Sequence, residues 1–250
     1  MRYIPLIEAS AERQMAIDES ILRSFDEGNC DPTFRFFRFK PSAITLGYTQ
    51  SIEETIDVKR CEEENIPFVR RMTGGGTVFH DYDGEITYSM VTKKAEKDIE
   101  ESFRKNLQPV INTLKRFGLD ATFKPYNDIL VGTKKISGSA QRRGKEGFLQ
   151  HGTLMYATDL EKLSEILKVD EEKLKEKGAD SFLDLVTTVE KETGEKPGLE
   201  EIIDSMKEEY VKHFQEEVEE EGLSEEEKER TSKLESKYSS DSWTHEREWK

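Results

Sequence analysis

Apolar residues at i, i+4 and i+8 (Ile17, Ile21 and Phe25), with charges between them, predict a helix over residues 12–27 that Gly28-Asn29 ends. The period then changes. Thr33 to Lys40 carries Phe34, Phe36, Phe37 and Phe39 and reads as a strand. Pro41-Ser42 turns the chain, and Ala43–Tyr48 follows as a second strand at hairpin distance. A charged helix over residues 53–64 leads into a β-type run, Pro67 to Arg71, then three consecutive glycines and a second apolar run ending in His80-Asp81. Glu85–Val91 alternates behind an Asp83-Gly84 turn, the pattern of a half-buried antiparallel strand.

The strongest amphipathic helix covers about residues 99–118, with Phe103, Leu107, Val110, Ile111, Leu114 and Phe117 on one face and Gly118 closing it. Short strands follow over residues 121–124, 128–131, 135–139 and 148–156, then a helix marked by Leu160, Leu163, Ile166 and Leu167. Strands clustered at hairpin distances with helices interspersed predict an α+β fold, a mixed or largely antiparallel sheet with flanking helices. Beyond residue 170 the character shifts. Glu171–Lys177 is mostly charge, Asp180–Val189 is a short apolar stretch, and Gly194–Gly198 is a linker containing Pro197. A long helix carries Leu199, Ile202, Ile203, Met206, Tyr210, Phe214 and Val218. Gly222 ends it, and the capping box Ser224-x-x-Glu227 opens a last helix reaching Tyr238. Nine glutamates against one lysine over residues 216–229 read as a solvated helical face. Trp243 and Trp249, near the end of the sequence, must dock on something, either the body of this chain or a partner.

Composition narrows the functional classes. The chain has 250 residues, 34% hydrophobic and 36% charged, which suits one large domain or one domain with an appendage. A net charge of −15 argues against a general nucleic-acid binder or a protein drawn to anionic membranes, so any cationic site must be local. Cys30 and Cys61 form neither a metal-ligand spacing nor a disulfide framework. No apolar run reaches spanning length and Met1-Arg2-Tyr3-Ile4-Pro5 lacks a signal-peptide pattern, so a cytoplasmic protein is expected.

Two stretches carry candidate chemistry. In Arg70-Arg71-Met72-Thr73-Gly74-Gly75-Gly76-Thr77-Val78-Phe79-His80-Asp81, the glycines let backbone pass close to a ligand, and two cations suggest a phosphate or carboxylate held by N–H groups. A tight strand turn could use the same glycines for steric reasons alone. In Asn127-Asp128 through Lys134-Lys135-Ile136-Ser137-Gly138-Ser139-Ala140, a turn lifts a lysine pair beside a run of small residues. A lysine there can act as a point charge on a carboxylate and a phosphate together, or stand as an ordinary surface residue. His151, beside Gly152, suits a structural hydrogen bond. The combination fits a reaction that joins a carboxylate to a phosphorylated ligand, such as adenylation.

These residues resemble the lipoate–protein ligase A branch of the biotin/lipoate ligase superfamily. Arg70-Arg71-x-x-Gly74-Gly75-Gly76-x-Val78-Phe79-His80-Asp81 is similar to its R-R-x-x-G-G-G-x-V-[FY]-H-D signature, and Asn127-Asp128 with Lys135-x-Ser137-Gly138-x-Ala140 to its N-D…K-x-[SM]-G-x-A signature. His151-Gly152-Thr153-Leu154 and Lys237-Tyr238…Trp243 match in the same order. The resemblance implies the superfamily's catalytic fold over residues 1–245, with a helical part over about 195–245. It implies activation of lipoate by ATP to lipoyl-adenylate, then transfer to a lysine of an acceptor, a lipoyl domain of a 2-oxoacid dehydrogenase E2 or an H-protein. By the same resemblance, Arg71, Gly76, Thr77, Val78 and Phe79 hold the nucleotide. Arg70, Gly75, His80 and His151 border the lipoate, Lys135 touches both ligands as the catalytic residue, and Asp128 helps bind Mg2+ through the phosphates.

Two departures add expectations. Full-length bacterial ligases continue into an accessory domain that is absent here, so a separate small accessory subunit is expected, with the aromatic tail as a docking surface. Gly84-Glu85-Ile86-Thr87-Tyr88-Ser89 and Gly138-Ser139-Ala140-Gln141 resemble the sister octanoyltransferases, which act through a cysteine and without ATP. Neither Cys30 nor Cys61 stands at a nucleophile position of those enzymes, and transfer from a carrier-protein thioester is the alternative activity.

Overall fold

The computed structural model of the protein describes residues 1–94, 98–168, 174 and 178–248. Strands β1 (Arg2–Ala9), β2 (Thr33–Phe39), β6 (Glu85–Lys93), β7 (Ala121–Lys124), β8 (Asp128–Val131), β9 (Lys134–Arg143), β10 (Gly147–Met155) and β11 (Glu219–Glu220) form one sheet in the order β11-β1-β2-β6-β10-β9-β8-β7. Its pairs are antiparallel except β1 with β2 and β1 with β11, so the sheet is mixed, as expected. A second sheet has β3 (Ala43–Leu46) at its centre, parallel to β4 (Phe68–Arg70) and antiparallel to β5 (Val78–His80). The expected hairpin of β2 with β3 does not form: β3 leaves the large sheet and takes its partners from the strands that flank the glycine turn.

Helices cover both faces of the large sheet. On one side lie α4 (Ile99–Asn106), α5 (Gln108–Arg116) and α8 (Leu199–Phe214), burying Phe103, Leu107, Val110, Ile202, Met206 and Tyr210 against Phe34, Phe36, Tyr88 and Ile136. On the other lies α1 (Ala11–Asp26), with Ile17, Ile21 and Leu22 on Ile4, Val91 and Leu149. Cover on both faces explains why β6 is buried from Glu85 to Val91, where alternation alone predicts a half-buried strand. The single helix expected over 99–118 breaks at Leu107, because Pro109 starts α5 and cannot continue an i→i−4 ladder. The helix expected over 53–64 is likewise two short pieces, α2 (Ile52–Thr55) and α3 (Val58–Glu63), the second capped by Asp57. A short helix α6 (Leu160–Ile166) and a single turn α7 (Val189–Thr193) complete the middle of the chain.

The C-terminal region departs most from its sequence pattern. The acidic run is only partly a helical face. Glu219–Glu220 pair with β1 as its edge strand, and Glu227, in the capping box of α9 (Glu225–Tyr238), is buried with the Arg2 guanidinium donating to both its oxygens at 2.6 and 2.8 Å. Burial of an acid is tolerable when a bidentate cation meets it. The aromatic tail docks on its own chain. Trp243, in the π-helical turn Ser242–Glu246, is buried, and its Nε1–H donates to the Arg70 carbonyl at 2.7 Å. Lys237 packs its ammonium 3.8 Å from the Trp243 ring and donates to Glu19 at 2.7 Å. The buried Trp243 face is therefore unavailable as a partner surface; Trp249 and most of Glu171–Lys177 lie outside the described residues. No helix among the described residues is long and apolar enough to cross a membrane.

Candidate active site

A cavity of about 840 Å³ opens between the two sheets, lined by Arg71, Gly75 to His80, Asp128, Lys135, Gly138 to Ala140 and His151 to Thr153. Both candidate stretches thus face one space, with the glycine turn as one wall, the lysine strand as the other and His151 of β10 between them. Of the residues expected to hold the nucleotide, the lipoate or the metal, Arg70 alone does not line it. Arg70 is 1% exposed, and its guanidinium donates to the carbonyls of Gly47, Tyr48 and Gln50 at 2.7–3.1 Å and of Thr244 at 2.8 Å. It ties β4 to the next loop and to the C-terminal tail, instead of bordering a ligand.

Arg71 is also buried, but it sits directly beneath the glycine turn. Its Nε–H donates to Thr73 Oγ1 at 3.0 Å, Nη1 to the carbonyl and hydroxyl of Thr45 at 2.9 and 3.2 Å, and Nη2 to the carbonyls of Gly74 and Gly76 at 2.7 and 2.6 Å. A guanidinium has five N–H donors, and all five are committed within the protein. Arg71 therefore has no donor left for a nucleotide; what it offers an anion is its charge and the shape it gives the turn. Among the described residues no carboxylate touches it, and burial pulls its pKa down to about 10, which leaves it cationic at neutral pH. In a trans peptide the C=O and the following N–H point in opposite directions, so drawing the Gly74 and Gly76 carbonyls inward turns the amides of Gly75 and Thr77 away from the guanidinium. Gly75 has φ +86°, a conformation that only glycine adopts at no cost, and a Cβ on Gly47 would strike its carbonyl. Thr77 Oγ1 is buried without a partner among the described residues. Outward amides, an uncancelled buried cation and an orphaned hydroxyl fit a phosphate-bearing ligand.

The opposite wall is looser. Lys135 keeps 38% of its side chain exposed and, among the described residues, has one polar side-chain partner, Asp128 Oδ1, at 2.7 Å. Its ammonium lies over Gly138, where an added Cβ would come within 2.5 Å of Lys135 Cε and Nζ. Gly138 is therefore glycine so that this lysine can fold into the cavity. The strand is pinned by its backbone: Lys135 N–H donates to Leu185 O at 2.8 Å and its carbonyl accepts from Thr187 N–H at 2.9 Å. Among the described residues no group of three or more His, Cys, Asp or Glu could hold a metal ion, so Asp128 could only share a metal that arrives with its ligand's phosphates.

Both histidines have both ring nitrogens bonded. His151 Nδ1 meets Asp18 Oδ2 at 2.8 Å and its Nε2 meets Thr73 Oγ1 at 2.8 Å; His80 Nδ1 meets Glu85 Oε2 at 2.6 Å and its Nε2 meets Thr45 Oγ1 at 2.9 Å. Burial pushes the His151 ring below its ordinary pKa, against the pull of Asp18. Burial would raise Asp18, yet Arg35 and His151 hold its carboxyl below the usual range. Asp18, Thr45, Thr73 and Glu85 were missed from sequence. Asp18 alone left a signal: with Gln14 it puts polar residues on the stripe that continues to Ile21 and Phe25, so α1 had to face buried partners there.

Comparison with known proteins agrees with this geometry. The lipoyl protein ligase A/B catalytic domain family matches residues 10–211. Lipoate-protein ligase A subunit 1 of Thermoplasma acidophilum is 37% identical over 74% of this chain and 74% of its own length. Octanoyltransferase LipM of Clostridioides difficile is 29% identical over 93% of this chain and 94% of its own. Among solved structures, the bi-partite lipoate protein ligase of an archaeal lipoylation system, from Thermoplasma acidophilum with its E2 lipoyl domain, superposes with a TM-score of 0.87 at 31% identity, covering 99% of this chain and 97% of that one. A lipoate-protein ligase A bound with ATP gives 0.83 at 29% identity, covering 96% and 97%. With the motifs, the two-sheet fold and the shared cavity all in register, the chain belongs to the lipoyl protein ligase A/B catalytic domain family.

Proposed function

We propose that this chain is a lipoate–protein ligase, which activates lipoate with ATP and transfers the lipoyl group to a lysine of a lipoyl domain or H-protein, assisted by a separate small subunit. The observation that carries this reading is the pairing of a lysine with a phosphate-type cradle in one cavity that no cysteine lines. Cys61 is buried in α3, where burial and the neighbouring Asp57 and Glu64 push its thiol up to about 11; burial raises Cys30 as well. Neither has the lowered pKa that a thioester-forming nucleophile needs.

In the first step a lipoate oxygen attacks the α-phosphorus and pyrophosphate leaves. Lys135 stands where its charge offsets the repulsion between carboxylate and phosphate, and the amides of Gly75 and Thr77 receive the phosphate oxygens. Magnesium brought by the phosphates would find Asp128 at the same edge. In the second step the acceptor amine attacks the acyl carbon, the C–O bond to the phosphate breaks, AMP leaves and the amine gives up its proton. The resemblance to octanoyltransferases over most of the chain supports the second reading, ATP-independent transfer from an octanoyl carrier protein.

Incubation with ATP, lipoate and a lipoyl domain, with and without a candidate accessory subunit, separates the two. ATP-dependent gain of lipoyl mass on the acceptor lysine is expected, stronger with the subunit. Transfer from octanoyl carrier protein with no ATP-dependent reaction would overturn the ligase reading, and full pyrophosphate release by the chain alone would remove the need for a subunit.

A further inference from the structure

Two hydrogen-bonded chains of the same kind, threonine to histidine to carboxylate, converge on Arg71. One runs from Arg71 Nε through Thr73 Oγ1 and the His151 ring to Asp18, which is anchored by Arg35 and by the Ser89 hydroxyl at 2.9 Å. The other runs from Arg71 Nη1 through Thr45 Oγ1 and the His80 ring to Glu85, whose second oxygen accepts from Thr87 at 2.7 Å. All members except Arg71 and the threonines come from other parts of the fold: α1, β2, β5, β6 and β10 each supply one or more.

The polarity of each chain follows from its ends. A carboxylate can only accept, so the histidine Nδ1 must carry the proton. In the neutral ring Nε2 is then an acceptor, and the threonine hydroxyl donates to it. A threonine whose proton is committed to the ring can still accept, and Arg71, which can only donate, supplies that bond. Reversing the ring would set the bare Nδ1 against a carboxylate oxygen, acceptor against acceptor, and reversing the threonine would set its O–H against an Arg71 N–H, donor against donor. The charges also balance: Asp18 and Glu85 offset Arg35 and Arg71, yet neither carboxylate touches Arg71, so its field is not cancelled by a contact pair on the cavity side.

We propose that the Thr73–His151–Asp18 and Thr45–His80–Glu85 relays act as a matched pair of positioning elements that hold Arg71, and through it the anion-binding form of the glycine turn. His80 and His151 are then positioning residues locked as Nδ1–H tautomers, with no ring nitrogen free to bind a substrate carboxylate or to take the proton of an acceptor lysine. The structural part stands on geometry alone; only its link to nucleotide affinity rests on the reading of the site given above.

The test is imidazole and guanidinium ¹⁵N NMR on the full chain, with signals assigned by substituting each histidine in turn. His80 and His151 are expected as neutral Nδ1–H tautomers at pH 7.5, set apart from His213 and His245. Asp18→Asn should turn His151 to the Nε2–H form while leaving His80 unchanged, and Glu85→Gln should do the converse. Thr73→Val, which keeps the shape and removes the hydroxyl, should displace the Arg71 Nε–H signal, and Thr73→Ser should restore it. ATP affinity should fall about ten-fold in Thr73→Val, the equivalent of one broken buried hydrogen bond, and return in Thr73→Ser. Either histidine found as Nε2–H or as imidazolium in the unsubstituted protein would overturn the proposal, as would a folded Thr73→Val protein that binds ATP at full affinity. If the unsubstituted protein binds no ATP, the nucleotide reading fails, and the tautomers and the Arg71 signal still decide the relays.

Discussion

The two walls of the cavity are built on opposite principles. On the glycine side, Arg71 is 4% exposed and every N–H is taken by the protein itself, so the turn is held from beneath by the protein's own hydrogen bonds. On the lysine side, Lys135 is half-buried, holds a single carboxylate and can exchange that contact for a ligand's oxygens. In the sequence Arg71 and Lys135 look alike, as cations beside small residues. Their surroundings separate them: Arg71 shapes the site, and Lys135 is free to act in it. The difference follows from chemistry, since a guanidinium's planar fork can satisfy a whole turn while an ammonium on a flexible stem is a movable point charge.

Substitutions on each wall should therefore fail in different ways. The largest effect is expected for Arg71→Ala, which strands the buried acceptors of Thr45 and takes the donor from the half-buried contacts to the Gly74 and Gly76 carbonyls. Stability should fall by about 3 kcal/mol or more, read from urea unfolding, with activity lost alongside. Lys135→Ala comes next and should lose only function. Lysine modification of the acceptor should fall by about 10²–10³-fold, as when a transition-state donor is removed, while loss of one half-exposed ion pair costs under about 1 kcal/mol. A large drop in stability for Lys135→Ala would erase the contrast between the walls.

Gly138→Ala sharpens the contrast on the lysine side alone. The new methyl meets the flexible end of Lys135, which can swing away, so the thermal midpoint should stay within a few degrees while turnover drops with the displaced amine. Smallest of all is the pH effect. His151 has a folded pKa below its ordinary 6.5, so the unfolded chain binds more protons, and the stability that His151 contributes is complete above that value. It is lost as pH falls from 6.5 toward the folded pKa, and Asp18, also lowered, adds a further loss below the ordinary carboxylate range. Thermal midpoints measured across pH 7.5 to 5 should decline for the unsubstituted protein and decline less for His151→Gln.

Most of the secondary structure, and both walls as separate stretches, could be read from the sequence, because strand alternation, helical stripes and glycine turns are local signals. What escaped it was long-range. Asp18 and His151 lie 133 positions apart and meet only because α1 packs across β2, β6 and β10. Arg70 and Arg71 are adjacent, and nothing local says that one ties a loop and the C-terminal tail together while the other supports the turn. The acidic run failed for a related reason: charge density predicts solvent exposure, whereas Glu227 is buried by a single bidentate partner, Arg2, 225 positions away. Trp243 is similar, since its aromatic surface announced a docking site without saying that the site was the back of β4.

Coupling of a nucleotide to an acyl carboxylate in this cavity can be followed by counting AMP against acceptor lysines modified in one reaction with ATP, lipoate, a lipoyl domain and the accessory subunit. One AMP is expected for each lipoyl group transferred, and neither product with Lys135→Ala. Acyl transfer to the acceptor lysine without AMP would contradict that coupling.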